Sequence, residues 1–128
     1  MKKKVYYSIG VMSGTSLDGF DFSLIKSDGI FKIEVVKNQY FSIHDNLRKK
    51  IKLIIVKINQ DYYKTVNSDF FIDLQKEFSK QIIFYTKKFL KDNNLKNSVI
   101  DVIGIHGVTL YHSVYKKKSL QIRKRMGI

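Results

Sequence analysis

Ile9-Gly10-Val11-Met12-Ser13-Gly14-Thr15-Ser16-Leu17-Asp18-Gly19-Phe20-Asp21 is the stretch around which the rest of the chain is arranged. It reads as the end of a strand, a tight polar turn and the start of a second strand. The turn holds two glycines, three hydroxyls and an acid. Glycine lets the backbone come close to a ligand and take up positive φ. Hydroxyls and free N–H groups supply donors, and a carboxylate holds Mg²⁺ directly or through water. These are the parts of a phosphate-gripping hairpin.

Outward from the turn, residues 5–12 are mostly apolar and β-prone, which predicts a first strand. Phe20, Phe22 and Leu24 alternate with Asp21, Ser23 and Ile25, which predicts a second. Ser27-Asp28-Gly29 is a turn signal. Residues 30–43 are rich in β-branched and aromatic side chains and predict a third strand. Short turns between three strands make an antiparallel meander.

Asp45 is the expected cap of a first helix, with Leu47, Ile51, Ile54, Ile55 and Ile58 at helical spacing. Residues 59–66 are polar and read as a loop. Asn67 or Ser68 then caps a long helix whose stripe is Phe71, Leu74, Phe78, Ile82, Tyr85 and Phe89. Acids come early in it and lysines late, which suits the helix dipole, and Asn93-Asn94 is the expected stop. An aromatic stripe at this spacing is core, not a cofactor box. Residues 99–105 read as a buried strand parallel to a neighbour. His106, Gly107 and Thr109 then fall just past its carboxyl end, where open α/β sheets gather ligands. A last weak strand is expected over residues 119–122, and the basic tail 123–128 lies outside the folded pattern.

The chain has 128 residues, no cysteine and no proline, and 44% hydrophobic residues. That is one domain or a piece of one. The absence of cysteine rules out disulfides and thiolate chemistry and fits the cytoplasm. The formal charge is +13, carried almost wholly by lysine, with Arg48, Arg123 and Arg125 the three arginines. Phosphate and base recognition favours arginine forks, so the charge argues only weakly for nucleic acid. The runs Lys2-Lys3-Lys4 and Lys116-Lys117-Lys118 read as solvated surface. No run approaches a membrane span, and the amino terminus lacks a signal-peptide cleavage pattern. His44, His106 and His112 lack the spacing of a zinc site.

The opening stretch resembles the amino-terminal signature of the anhydro-N-acetylmuramic acid kinases, departing from it only at Phe20, where that family has a small aliphatic. A second match is Ile103-Gly104-Ile105-His106-Gly107-Val108-Thr109-Leu110-Tyr111-His112, with Val108 in place of the family's glutamine. A valine cannot replace an amide's donors and acceptor. An ordinary hairpin turn uses the same residue types as the first motif, but the full string is far more specific than a turn requires. Leu120-Gln121-Ile122 keeps a third family pattern, whose next glycine is Arg123 here.

The resemblance implies an α/β fold of the actin-like, ribonuclease-H-type ATPase kind, of which only the amino-terminal part is present: a three-strand meander, two helices and further strands. It implies a partial kinase domain over residues 1–122 and an off-pattern basic tail over residues 123–128. Gly14, Thr15, Ser16, Leu17, Asp18, Gly19, Phe20 and Asp21 take the place of the family's ATP-binding segment, with Asp18 nearest a Mg²⁺ ion. His106, Gly107 and Thr109 take a place at the substrate cleft. The cofactors implied are ATP and Mg²⁺. The reaction implied is hydrolysis and phosphorylation of 1,6-anhydro-N-acetylmuramic acid to N-acetylmuramic acid 6-phosphate, in cell-wall recycling. The family's catalytic base lies beyond residue 128, so little or no activity is expected of this chain alone. Its implied partners are ATP, the amino sugar and the missing remainder of the kinase, and the family forms homodimers. The competing expectation is a non-catalytic basic module for nucleic acid or another anionic partner.

Overall fold

Along residues 6–13 buried and open positions alternate, and that alternation makes the first strand. The computed structural model describes residues 4–14, 16–113 and 118–121, the last four by backbone alone. Expectations on Thr15, Lys2, Lys3, Lys116, Lys117, Ile122 and residues 123–128 lie outside the described residues. Strands β1 (Tyr6–Ser13), β2 (Gly19–Ser27) and β3 (Ile33–Ser42) form the expected antiparallel meander. The third strand starts later than its composition predicts. Asp28 Oδ1 accepts the N–H groups of Ile30, Phe31 and Lys32 at 3.0, 2.9 and 2.9 Å, which holds those residues in the turn. The same donors hold the Asp28 carboxyl below the usual carboxylate range.

Helix α1 (Asp45–Gln60) buries Leu47, Ile51, Ile54 and Ile58. Its cap position is His44, which makes no side-chain cap bond, so Asp45 stands in the first turn instead of capping it. A one-turn helix, α2 (Tyr62–Val66), replaces the loop expected from its polarity. Asp61 caps it by accepting from Lys64 N at 3.1 Å, and Thr65 Oγ1 donates to the Lys57 carbonyl at 3.0 Å. The long helix α3 (Asp69–Asp92) is capped by Ser68, whose Oγ accepts from Phe71 N at 3.2 Å. It ends at Asn93 and Asn94; the left-handed turn of Asn94, φ +54°, lets Leu95 N reach the Leu90 carbonyl at 2.8 Å.

Strand β4 (Val102–His106) lies parallel to β1, giving the sheet order β3-β2-β1-β4. Beyond it, β5 (Thr109–Ser113) and β6 (Lys118–Gln121) form a separate antiparallel hairpin. Val108 and Leu110 tuck under it into the core, and β5 packs beside α1.

One face of the sheet and the helices enclose a single core. Phe20, Phe22, Phe41, Phe78, Tyr85 and Phe89 meet there, with Phe41 stacked on Tyr85 at 4.6 Å and Phe20 edge-on to Phe78 at 5.6 Å. The opposite face is open. Register partners across it run His106–Met12–Asp21–Tyr40 and Val102–Ser8–Ile25–Val35. Met12, Tyr40, Val102 and Val35 are each more than half exposed. Among the described residues no helix is long and apolar enough to cross a membrane.

Tyr85 joins the core to the end of β3, because its hydroxyl donates to the Ser42 carbonyl at 2.6 Å. Burial raises its phenol above the ordinary value of 10.0. A folded value raised above the unfolded one gives stability that is complete below pH 10 and lost as pH climbs through the folded value. Tyr85→Phe is therefore expected to cost about 1 kcal/mol at pH 7. The gap between the two proteins should narrow above pH 10. Urea midpoints measured at both pH values check this, and a gap that widens in alkali would contradict it.

Candidate functional site

The polar turn after β1 is held from inside. Leu17 N donates to the Gly14 carbonyl at 3.1 Å, closing a turn over residues 14–17. Leu17 itself adopts φ +58° while its side chain is buried in the core. A left-handed residue other than glycine costs about 1–2 kcal/mol, so burial of this leucine sustains the conformation. The Asp18 carbonyl accepts from Ile43 N at 3.0 Å, which ties the turn to the end of β3. The Asp18 side chain is exposed. Gly19 has no room for a side chain: a Cβ there would run into the Phe41 carbonyl and the Tyr40 ring.

The second motif arrives at the same edge. In the parallel β1–β4 pair Met12 is the register partner of His106, so both strands end side by side. Ser13, buried, sends its Oγ to the His106 carbonyl at 3.2 Å. His106 is exposed, while Gly107 and Val108 turn inward. Val108 lies in the core cluster, which accounts physically for an apolar residue at this position. Thr109 is exposed at the start of β5, and His112 is exposed further along the same strand.

The structure thus brings Gly14, Ser16, Leu17, Asp18 and Gly19 together with His106 and Gly107 at the carboxyl edge of β1 and β4. Asp21 points to the open face between Met12 and Tyr40. Phe20 is fully buried against Phe78 and Tyr85, so only its backbone faces the turn. No group of three acidic, histidine or cysteine side chains suited to a metal occurs among the described residues. Two residues escaped the sequence reading. Ser13 belongs to the quoted stretch, but its tie to β4 is invisible without the parallel pairing. Arg48, on α1, donates from Nε to the Leu17 carbonyl at 2.8 Å and from Nη2 to the Asp18 carbonyl at 3.1 Å. Its scarcity as one of three arginines was the available signal.

A three-strand meander, a helical crossover and a parallel fourth strand, with a Gly-Ser-Asp turn at the shared edge, are the opening of an actin-like ATPase domain. The sequence model of the family described as anhydro-N-acetylmuramic acid kinase matches residues 6–128. An anhydro-N-acetylmuramic acid kinase of Pelagibacter ubique is 36% identical over 129 aligned positions, covering 94% of this chain and 31% of that protein. Kinases of the same name from Brucella canis and Bacillus cereus are each 30% identical, covering 90% and 83% of this chain and 31% and 27% of their own lengths. The chain belongs to the anhydro-N-acetylmuramic acid kinase family, and it spans about a third of the length of these curated relatives.

Proposed function

We propose that the segment Gly14–Asp21, the turn after β1 and the start of β2, grips the phosphates of ATP, and that this chain is the nucleotide-facing opening part of a kinase acting on 1,6-anhydro-N-acetylmuramic acid. The observation that carries this reading is the meeting of a left-handed polar turn with the carboxyl end of a parallel neighbouring strand, through the Met12–His106 register. Successive backbone N–H groups in such a turn make an anion-binding concavity. Asp18, exposed on the turn, would be the carboxylate that holds Mg²⁺. Mg²⁺ keeps several waters and substrate phosphates among its six ligands, so one protein carboxylate suffices. The bound ion would neutralise charge on the transferring phosphoryl group. His106 and Thr109 would then face the sugar. Turnover needs a base to activate water, and by resemblance that base lies outside this span. Location in the cytoplasm and assembly as a homodimer belong to the same proposal.

Isothermal titration of the chain with magnesium and the non-hydrolysable analogue AMP-PNP tests it. Binding is expected to need the metal and to weaken at least about tenfold in Asp18→Ala, equivalent to about 1.4 kcal/mol. Addition of the anhydro sugar and ATP should yield no phosphorylated product from this chain alone. Metal-independent binding that ignores Asp18 and falls steeply with salt would instead support a basic polyanion-binding module.

A further inference from the structure

Four acceptors converge on one guanidinium. Arg48 Nε donates to the Leu17 carbonyl at 2.8 Å, and Nη2 donates to the carbonyls of Asp18 at 3.1 Å and Ile43 at 3.3 Å. Nη1 donates to Asp45 Oδ1 at 3.0 Å. Three of the four acceptors are main-chain carbonyls, drawn from the polar turn and from the end of β3. The arginine side chain is only 26% exposed, so these bonds are partly shielded from water.

The consequence for the turn follows from peptide geometry. A trans peptide is planar, with its C=O and N–H pointing in opposite directions. Aiming the Leu17 carbonyl at α1 therefore aims the Asp18 N–H away from α1. The left-handed φ of Leu17 is the strained residue in this arrangement, and strain of this kind persists only where surrounding contacts over-determine it. Arg48 supplies one such contact and the buried leucine side chain the other.

We propose that Arg48 is the positioning residue of the phosphate turn: its fork turns the Leu17–Asp18 peptide so that the Asp18 N–H faces the phosphate chain of a bound nucleoside triphosphate. The inference rests on the nucleotide reading above. It assigns Arg48 no contact with the ligand. It also assigns the effect to the shape of the fork and not to its charge. Lysine keeps the charge but has a compact ammonium without the planar array of donors.

The full chain is titrated with magnesium and AMP-PNP as wild type, Arg48→Lys and Asp45→Asn. Arg48→Lys is expected to bind about tenfold more weakly, whereas Asp45→Asn, which leaves the three carbonyl bonds intact, stays within about twofold. A second readout uses the wild type alone. Solvent exchange of the Arg48 Nε–H, followed by NMR, should slow about tenfold at saturating AMP-PNP, because a clamp that favours binding is favoured by it in return. Wild-type affinity in a folded Arg48→Lys overturns the proposal, as does exchange unchanged by ligand. Should Arg48→Lys not fold, the exchange measurement decides. Failure of the wild type itself to bind removes the nucleotide reading, and this proposal with it.

Discussion

Phe22→Ala is expected to cost about 4 kcal/mol of folding stability, a large share of what a domain of this size holds. Phe22 is completely buried on β2. Its ring stands edge-on to Phe41 at 5.2 Å and tilts against Phe89 at 5.6 Å. It therefore joins the strand that leaves the polar turn, the strand that returns to Arg48's bond at Ile43, and the long helix behind both. Truncation removes the transfer energy of the ring and leaves a cavity between two strands and a helix that cannot all close on it. A urea titration read by circular dichroism measures the loss. A cost below about 1 kcal/mol would mean that the helix does not pack on this face of the sheet.

Gly19→Ala is the second large effect. The new Cβ would lie closer to the Phe41 carbonyl and the Tyr40 ring than real Cβ atoms come. The ring can swing away, because Tyr40 lies on the open face and is about half exposed. The carbonyl cannot, because it belongs to the β2–β3 pair in which Phe20 opposes Phe41. The strand must shift, at an expected cost of about 3 kcal/mol. The displacement begins one residue from Asp18, so nucleotide affinity should fall in the same variant. Gly104→Ala is the contrast: a Cβ there meets nothing within 4 Å, and removing a strand glycine is expected to stabilise by about 0.5 kcal/mol. Equal losses from the two substitutions would show that loss of backbone freedom, and not the Phe41 carbonyl, explains the glycine at position 19.

The site was legible in unequal parts. The string from Met12 to Asp21 announced itself, since its glycines, hydroxyls and acids lie next to one another in the chain. The apolar run before His106 signals a strand, but His106 is that strand's last residue and does not lie past it, and the strand is half-exposed, not buried. Arg48 stands out as one of three arginines, but nothing near it in sequence tells that it reaches the Leu17 and Asp18 carbonyls. Phe20 belongs to the motif by position, yet its side chain serves the core, a division that alternation along β2 decides. The short helix Tyr62–Val66 was missed because its support comes from an aspartate cap, from the Thr65 bond back to α1, and from the Tyr62 ring tilted against Tyr111, a residue far along the chain. The late start of β3 was missed because one carboxylate takes three backbone donors that composition would have assigned to a ladder.

Local patterns in the sequence suffice for the meander, the stripe and cap of the long helix, the existence of a fourth strand and the family signature. Each is written in neighbouring residues, where period, capping and turn chemistry act over a few positions. That the fourth strand is a half-exposed sheet edge, and not buried as its apolar run suggests, these patterns do not record. Only the tertiary structure decided that β4 lies against β1, that Ser13 reaches His106, and that Arg48 holds Leu17 and Asp18. These contacts join residues thirty or more positions apart. They form because burying the aromatic core fixes where the strand ends and the first helix must stand, and no local pattern records that outcome.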